Sequence, residues 1–211
     1  PDSGYLQYRL FIKNDTIHDR DKNEIYDVFP YYLDQVTQMN ENGERRNRGS
    51  AFSNTILAAR LYGTTASEFK IEFTTGDVKI PDGVEAGAYL KTLDWVAADA
   101  DGSAPTGTTG MRIIPQNGKT GLIKKDDSLI VIVDAQSPPY NADTSGKRGY
   151  NSFVRTDDSL NNKYIEVPSV WNEVPTPLGT LRIEKRSRTF DPVNSNIVAY
   201  DQPLSGAEFT L

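Results

Sequence analysis

A group of aromatic and polar residues around one loop of the sequence could bind a sugar. Flat aromatic rings can stack on the apolar face of a pyranose, and neighbouring amides and carboxylates can hydrogen-bond its hydroxyls. Binding sites typically combine apolar walls with a few convergent polar groups of this kind. The stretch 137–153 is therefore the predicted binding loop, although a large ring such as Trp171 is also typical of a core. The candidate residues are Tyr140, Asn141, Asp143, Tyr150, Asn151 and Trp171.

A second candidate site lies in the segment 99–103, where Asp99, Asp101 and Ser103 alternate with Ala100 and Gly102. Alternate oxygen ligands beside a glycine resemble the start of a calcium-binding loop, because the glycine allows the turn that brings the oxygens together. The distal glutamate of an EF-hand loop is missing from the sequence that follows. Two interpretations therefore stay open, a calcium site and a solvated turn.

The sequence offers little for catalysis. The single histidine, His18, lies in a polar segment, and the chain has no cysteine. A zinc site or a Cys-based nucleophile would need ligands that are not there. Glu72 and Glu184 occupy the outward positions of alternating segments, and no spacing selects a pair of carboxylates for glycoside hydrolysis. No catalytic residue is predicted, and a carbohydrate-active enzyme is kept only as an alternative.

The charge balance limits the classes of partner. The net charge of −6 argues against a nucleic-acid ligand, which requires clustered basic residues. The main basic cluster is Arg45, Arg46 and Arg48, in a segment rich in Gly and Asn. We expect a solvated loop there, with contact to an anion or a partner as the alternative.

No apolar stretch approaches the ~18 residues of a transmembrane helix, so no membrane span is expected. The absence of cysteine excludes a disulfide framework but fits both a reducing and an extracellular compartment. The chain begins at Pro1 without a methionine, which favours a processed and exported product.

The element that should position these residues is the stretch Gly121–Gln136. Five apolar residues, Leu129 to Val133, stand in a row, and four of them are β-branched. This enrichment over so short a run is typical of a strand. Because both alternating faces are apolar, the strand is predicted to lie in the centre of a sheet and to be buried on both sides.

The rest of the chain reads as further short strands separated by turns. Alternation is clearest at Tyr5–Lys13 and at Glu68–Phe73. Tyr31–Met39 fits either a short helix or a strand. Further strands are expected over the following ranges: 55–62, 88–96, 111–114, 163–167, 178–186, 197–200 and 208–211. Nine or ten strands with little helix predict a single all-β domain over residues 1–211, an antiparallel β-sandwich of the jelly-roll or immunoglobulin-like type with long loops.

One part of the chain resembles a family of secreted bacterial β-sandwich domains of unknown function, found on the surfaces of gut-type bacteria. The residues that carry the resemblance are Ile113–Lys119, then Leu122–Val131, followed by the Pro/Asn/Asp-rich loop Pro138–Ser145. The resemblance implies export and a non-catalytic role at the cell surface. The family has no agreed functional residues, so it assigns no site.

These observations favour a non-enzymatic, extracellular or cell-surface module for binding or assembly. Edge strands such as Tyr5–Lys13 or Glu208–Leu211 could accept or donate a strand, so the expected partner is another protein or a second copy of the chain. Three alternatives remain. They are glycan recognition by loop 137–153, a carbohydrate-active enzyme and a viral jelly-roll coat protein. No cofactor is expected unless the segment 99–103 binds calcium.

Overall fold

The computed structural model describes residues 3–161, 163–167, 170–173, 186–191 and 196–203. The chain divides into two compact units, Pro1–Thr176 and Pro177–Leu211. Nearly all regular structure in the described residues is antiparallel strand. The predicted all-β, sandwich-like class is therefore confirmed.

Strand bounds follow the turn-forming residues of the sequence. In the described part of the first unit the strands are β1 (Ser3–Lys13), β2 (Glu24–Val28), β3 (Gln35–Met39), β4 (Arg45–Asn47), β5 (Thr55–Tyr62), β6 (Phe69–Thr74), β7 (Val96–Ala97), β8 (Gly110–Pro115), β9 (Ser128–Pro139), β10 (Arg148–Thr156), β11 (Ile165–Glu166) and β12 (Val170–Glu173). One α-helix, α1 (Ala86–Leu90), and two 3-10 turns, Ala66–Glu68 and Asp158–Leu160, complete the elements described there. In the second unit, β13 (Arg186–Asp191) and β14 (Asn196–Pro203) form an antiparallel hairpin.

Two sheets make up the first unit, together with the small hairpin β3–β4. The smaller sheet has the order β1–β9–β5, and the larger has the order β11–β10–β2–β8–β6–β7, with β12 also paired to β10. Every pairing is antiparallel. The inner faces of the two sheets pack on each other and form one hydrophobic core.

Strand β9 is the middle strand of the smaller sheet, as the sequence predicted. Its residues Leu129, Val131 and Val133 are fully buried and face the larger sheet. The expectation that both faces are buried is wrong, because Ile130 and Ile132 are only half-buried on the opposite face. A sandwich sheet has one inner face, and no described element of the first unit packs on the outer face of this one.

A second, smaller core lies on the other face of the larger sheet. It is covered by α1 and the segment that follows it, with Leu90 fully buried. The ring of Tyr26 from β2 makes edge contacts with Trp95 at 5.8 Å and with Tyr164 at 5.7 Å. The strand predicted over 88–96 is therefore wrong. Residues 88–90 belong to α1, residues 91–95 form a connection and Val96 begins β7.

Several other boundaries change. About half of the expected loop 137–153 is strand, because β9 continues to Pro139 and β10 begins at Arg148. Only residues 140–147 connect them. The ambiguous segment Tyr31–Met39 contains the strand β3. The strands predicted over 178–186 and 208–211 lie outside the described residues, apart from Arg186 at the start of β13. No described helix is long and apolar enough to cross a membrane.

Candidate functional site

The outer face of the sheet β1–β9–β5 carries three exposed aromatic side chains. Tyr5 and Phe11 on β1 are 64% and 57% exposed, and Tyr62 on β5 is 50% exposed. The register places Phe11 and Tyr62 on either side of Ile130. Because neighbouring strands are about 4.8 Å apart, the two aromatic side chains leave the sheet about 10 Å from each other.

A polar cluster at one end of this face holds the three strands together. The carboxylate of Asp134 on β9 accepts hydrogen bonds from the Tyr5 hydroxyl and from Gln7 Nε2 at 2.8 Å, both on β1. Its other oxygen lies 2.5 Å from Nη1 of Arg60 on β5. These contacts, first of all the one from Tyr5, hold the pKa of Asp134 below its ordinary value. The carboxylate therefore stays charged at neutral pH and fixes its neighbours.

Arg9 on β1 is an exposed cation of the same face. It projects beside Ile132, opposite Arg60 across β9. Among the described residues Arg9 makes no ion pair and no side-chain hydrogen bond, whereas Arg60 is paired with Asp134. The face thus combines exposed aromatic rings with a guanidinium that has no counter-ion in the described part of the chain, and these residue types are enriched at the centres of protein interfaces.

The two edges of this sheet differ. Strand β5 is covered on its free side by the segment 102–104, through Ala59 N to Gly102 O at 2.8 Å and Ala104 N to Leu57 O at 2.9 Å. This close approach requires glycine at 102, because a Cβ there would lie 2.3 Å from the carbonyl oxygen of Ala59. Strand β1, eleven residues long, pairs on one side only within the described residues, with β9.

The predicted sugar-binding residues do not converge on one surface. The Tyr140 hydroxyl bonds Ser145 at 2.9 Å, and Asn141 Oδ1 accepts from the backbone N–H of Asp143 at 2.8 Å, so the turn uses its own polar groups. Asn151 is only 3% exposed, so it lies beneath the surface, and its binding role stays a prediction. The Asn151 side chain points inward because this residue lies in the strand β10 and not in the expected loop.

The two remaining candidates lie on neighbouring strands. Tyr150 on β10 is half-buried, and its backbone N–H donates to the hydroxyl of Ser50 at 2.9 Å. Trp171 lies on β12, directly opposite Tyr150 in the backbone register. This pairing brings two of the six candidates together. The exposed turn 140–147 and the buried amide of Asn151 remain separate from them.

The candidate calcium segment forms a turn beside β5. Asp101 Oδ1 accepts the backbone N–H of Ser103 at 3.2 Å. Hydrogen bonds from Ser103, first from its side chain and then from this N–H, lower the pKa of the Asp101 carboxyl. The carbonyl oxygen of Asp101 accepts Nε of Arg60 at 3.0 Å. In the part of the chain that the structure describes, no group of three or more His, Cys, Asp or Glu side chains is placed to hold a metal. Calcium binding by Asp99, Asp101 and Ser103 stays a prediction.

Two of the three clustered arginines are buried, so the expected solvated loop is wrong for Arg45 and Arg48. Arg45 donates to three carbonyl oxygens, including Thr37 O at 3.2 Å and Pro81 O at 2.9 Å. Arg46 is exposed. The three arginines differ in exposure because β4 and the segment after it direct the side chains of Arg45 and Arg48 into the interior.

Arg48 lies in a buried polar cluster that the sequence analysis missed. Its Nη2 is 3.0 Å from Oδ2 of Asp34, an ion pair in which both side chains are inaccessible to solvent. The same guanidinium donates to Ser152 Oγ at 3.0 Å and to Val28 O at 3.1 Å. Asp27 on β2 is also buried, and it accepts a hydrogen bond from Asn151 Nδ2 at 3.1 Å. Two buried carboxyl groups therefore lie near one cation, and of the two Asp34 is the one ion-paired with it.

Burial raises the pKa of Asp27 to about 7, against the opposing effects of the Asn151 hydrogen bond and the charge of Arg48. Burial likewise raises the pKa of Asp34. Asp27 Oδ1 has no hydrogen-bond partner among the residues that the structure describes. The arrangement favours a protonated Asp27 beside the ionised pair of Asp34 and Arg48. A signal existed in the sequence, because Asp27 takes the inward position between the core residues Ile25 and Phe29.

Asp27 should make the stability of the protein depend on pH. The folded pKa lies above the unfolded value of 3.8, so its contribution is complete below pH 4 and is lost as the pH rises through 7. Asp27→Asn mimics the protonated form at every pH. We expect the free energy of unfolding of this variant, relative to that of the wild type, to be higher at pH 8 than at pH 4 by about 2–4 kcal/mol. Urea unfolding at both pH values measures this. A stability difference that does not change with pH would contradict it.

Comparisons of the chain with protein-family models, with curated proteins and with solved structures found no match.

Proposed function

We propose that this protein is a non-enzymatic binding or assembly module that accepts a strand of a protein partner at the edge of β1. The observation that carries the proposal is the length of this edge, eleven residues with pairing on one side only among the described residues. A free strand edge presents backbone donors and acceptors that a second strand can pair with. Location at the cell surface is part of the proposal and rests on the resemblance alone.

The side chains beside the edge support a protein partner. An added strand would place alternate side chains next to Tyr5, Gln7, Arg9 and Phe11 on the outer face, because opposite residues of an antiparallel pair share a face. Tyr5 and Phe11 can bury their exposed rings against such a strand. Natural edge strands usually carry protection, such as proline, a bulge within the strand or a covering loop. Between residues 5 and 13 the register of β1 is regular.

The proposal predicts that a charge at Phe11 weakens strand binding. The probe is a fluorescein-labelled peptide with the sequence of residues 3–13, titrated with the full chain and followed by fluorescence anisotropy. Phe11→Lys in the protein should raise the Kd at least about tenfold, because the ring loses its contact and a lysine opposes strand addition.

The matched control is Tyr32→Lys, since Tyr32 is 65% exposed and lies in the turn between β2 and β3. This variant should bind the peptide with unchanged Kd. An absence of saturable binding to the wild type, or an equal loss in both variants, would overturn the proposal.

A further inference from the structure

The β1 strand is complementary to itself, and we propose that its partner is β1 of a second copy of this chain, paired antiparallel about a two-fold axis. This inference rests on the proposed function and names the partner. The two three-stranded sheets would join edge to edge into one six-stranded sheet with β1 and its copy in the centre.

The length of the strand selects one register. When residue i faces residue 16 − i of the second copy, all eleven residues of Ser3–Lys13 are paired. A shift of the axis by one residue in either direction leaves nine of them paired. Registers of this kind pair odd-numbered residues with odd-numbered ones and even-numbered residues with even-numbered ones. The buried faces of both copies therefore lie on the same side of the joined sheet.

Side chains favour the same register on the outer face. Tyr5 of each copy lies opposite Phe11 of the other, which gives two cross-strand aromatic pairs, and Gln7 lies opposite Arg9. Aromatic cross-strand pairs stabilise a sheet, and like charges placed directly opposite destabilise it. Moving the axis to residue 9 would place Arg9 opposite its own copy. Moving it to residue 11 would place Arg9 opposite Lys13.

The side chains on the inner face of β1 also fit this register. In the favoured register Leu6 of one copy lies opposite Leu10 of the other, on both sides of the axis. Both residues pack in the core of their own copy, Leu10 buried and Leu6 only partly. The contact would cover the remaining exposed part of Leu6. The joined sheet therefore extends the apolar layer of each copy and places no charged residue of β1 in it.

Cysteine cross-linking tests this register cleanly because the chain contains no cysteine. The full-length variants Gln7→Cys and Arg9→Cys, one of them labelled with ¹⁵N, are mixed and oxidised with glutathione. A disulfide requires Cβ atoms about 3.5–4.5 Å apart. Directly opposite positions, at about 4.5–5.5 Å, reach this distance by a small local movement, whereas diagonal positions, at about 7–8 Å, do not. We expect the mixed dimer at least about fivefold above its statistical share, identified by mass spectrometry. The control variant Tyr32→Cys should give only statistical mixtures.

The outcomes separate the two proposals. Statistical mixing of the Gln7→Cys and Arg9→Cys chains, or a monomer at every concentration in sedimentation velocity, would overturn the two-fold pairing. If the β1 peptide still bound the wild type and Phe11→Lys still weakened it, strand acceptance at β1 would stand without the dimer. Loss of peptide binding would remove both.

Discussion

Arg48→Met is expected to lower the free energy of unfolding by about 3–5 kcal/mol at pH 7, the usual cost of removing one partner of a buried ion pair. The substitution leaves the carboxylate of Asp34 inaccessible to solvent and without its cation. It also removes the donors to Ser152 Oγ and Val28 O. Because Asp34 can take up a proton in acid, the loss should be smaller at pH 4. Urea unfolding followed by circular dichroism measures both values.

The control for this variant is Arg46→Met, two residues away in sequence. Arg46 is exposed and makes no ion pair or side-chain hydrogen bond among the described residues. Its substitution should change stability by less than about 0.5 kcal/mol. Equal effects of the two substitutions would show that Arg48 is solvated and that it forms no buried ion pair with Asp34.

The second large effect is expected in the middle of the smaller sheet. Leu129→Ala should cost about 2–5 kcal/mol, because the side chain is fully buried between the two sheets and its removal leaves a cavity. Strand β9 joins β1 to β5, so its inner face supports the whole sheet. Thermal or urea unfolding gives the difference from the wild type.

The neighbouring residue provides the comparison. Ile130 points to the outer face and is only half-buried, so Ile130→Ala should cost less than half as much as Leu129→Ala. The two substitutions differ by one position and by the side of the sheet. If Ile130→Ala were equally costly, the outer face would be covered by another part of the protein, and the open face described here would not exist.

The class of the fold could be predicted because period-two alternation and turn residues are local signals. Strand β9 and its central position follow from the run Leu129–Val133, and β1 follows from Tyr5–Lys13. The helix α1 was missed because a five-residue helix has too few turns for a periodic pattern. Whether Ile130 and Ile132 are covered depends on the second layer, and the chain carries no local signal for that.

The surface proposed for function was predicted only in part. The sequence identified β1 as a candidate edge strand, and the sheet order places it at an edge. It could not show that the segment 102–104 covers the other edge, because that contact joins residues about 45 positions apart. Asn151 was misplaced because its segment was interpreted as a loop. The role of Arg48 depends on Asp34, Ser152 and Val28, three partners that only the folded chain brings together.

Amide hydrogen exchange of β1 tests the central claim most directly. The full chain is measured by NMR, at a concentration where it sediments as a monomer, with and without the peptide of residues 3–13. We expect the alternate β1 amides that face away from β9 to exchange rapidly in the free protein. The peptide should slow them at least tenfold. If these amides do not change, and protection appears instead in the turn 140–147, then β1 is not the binding edge.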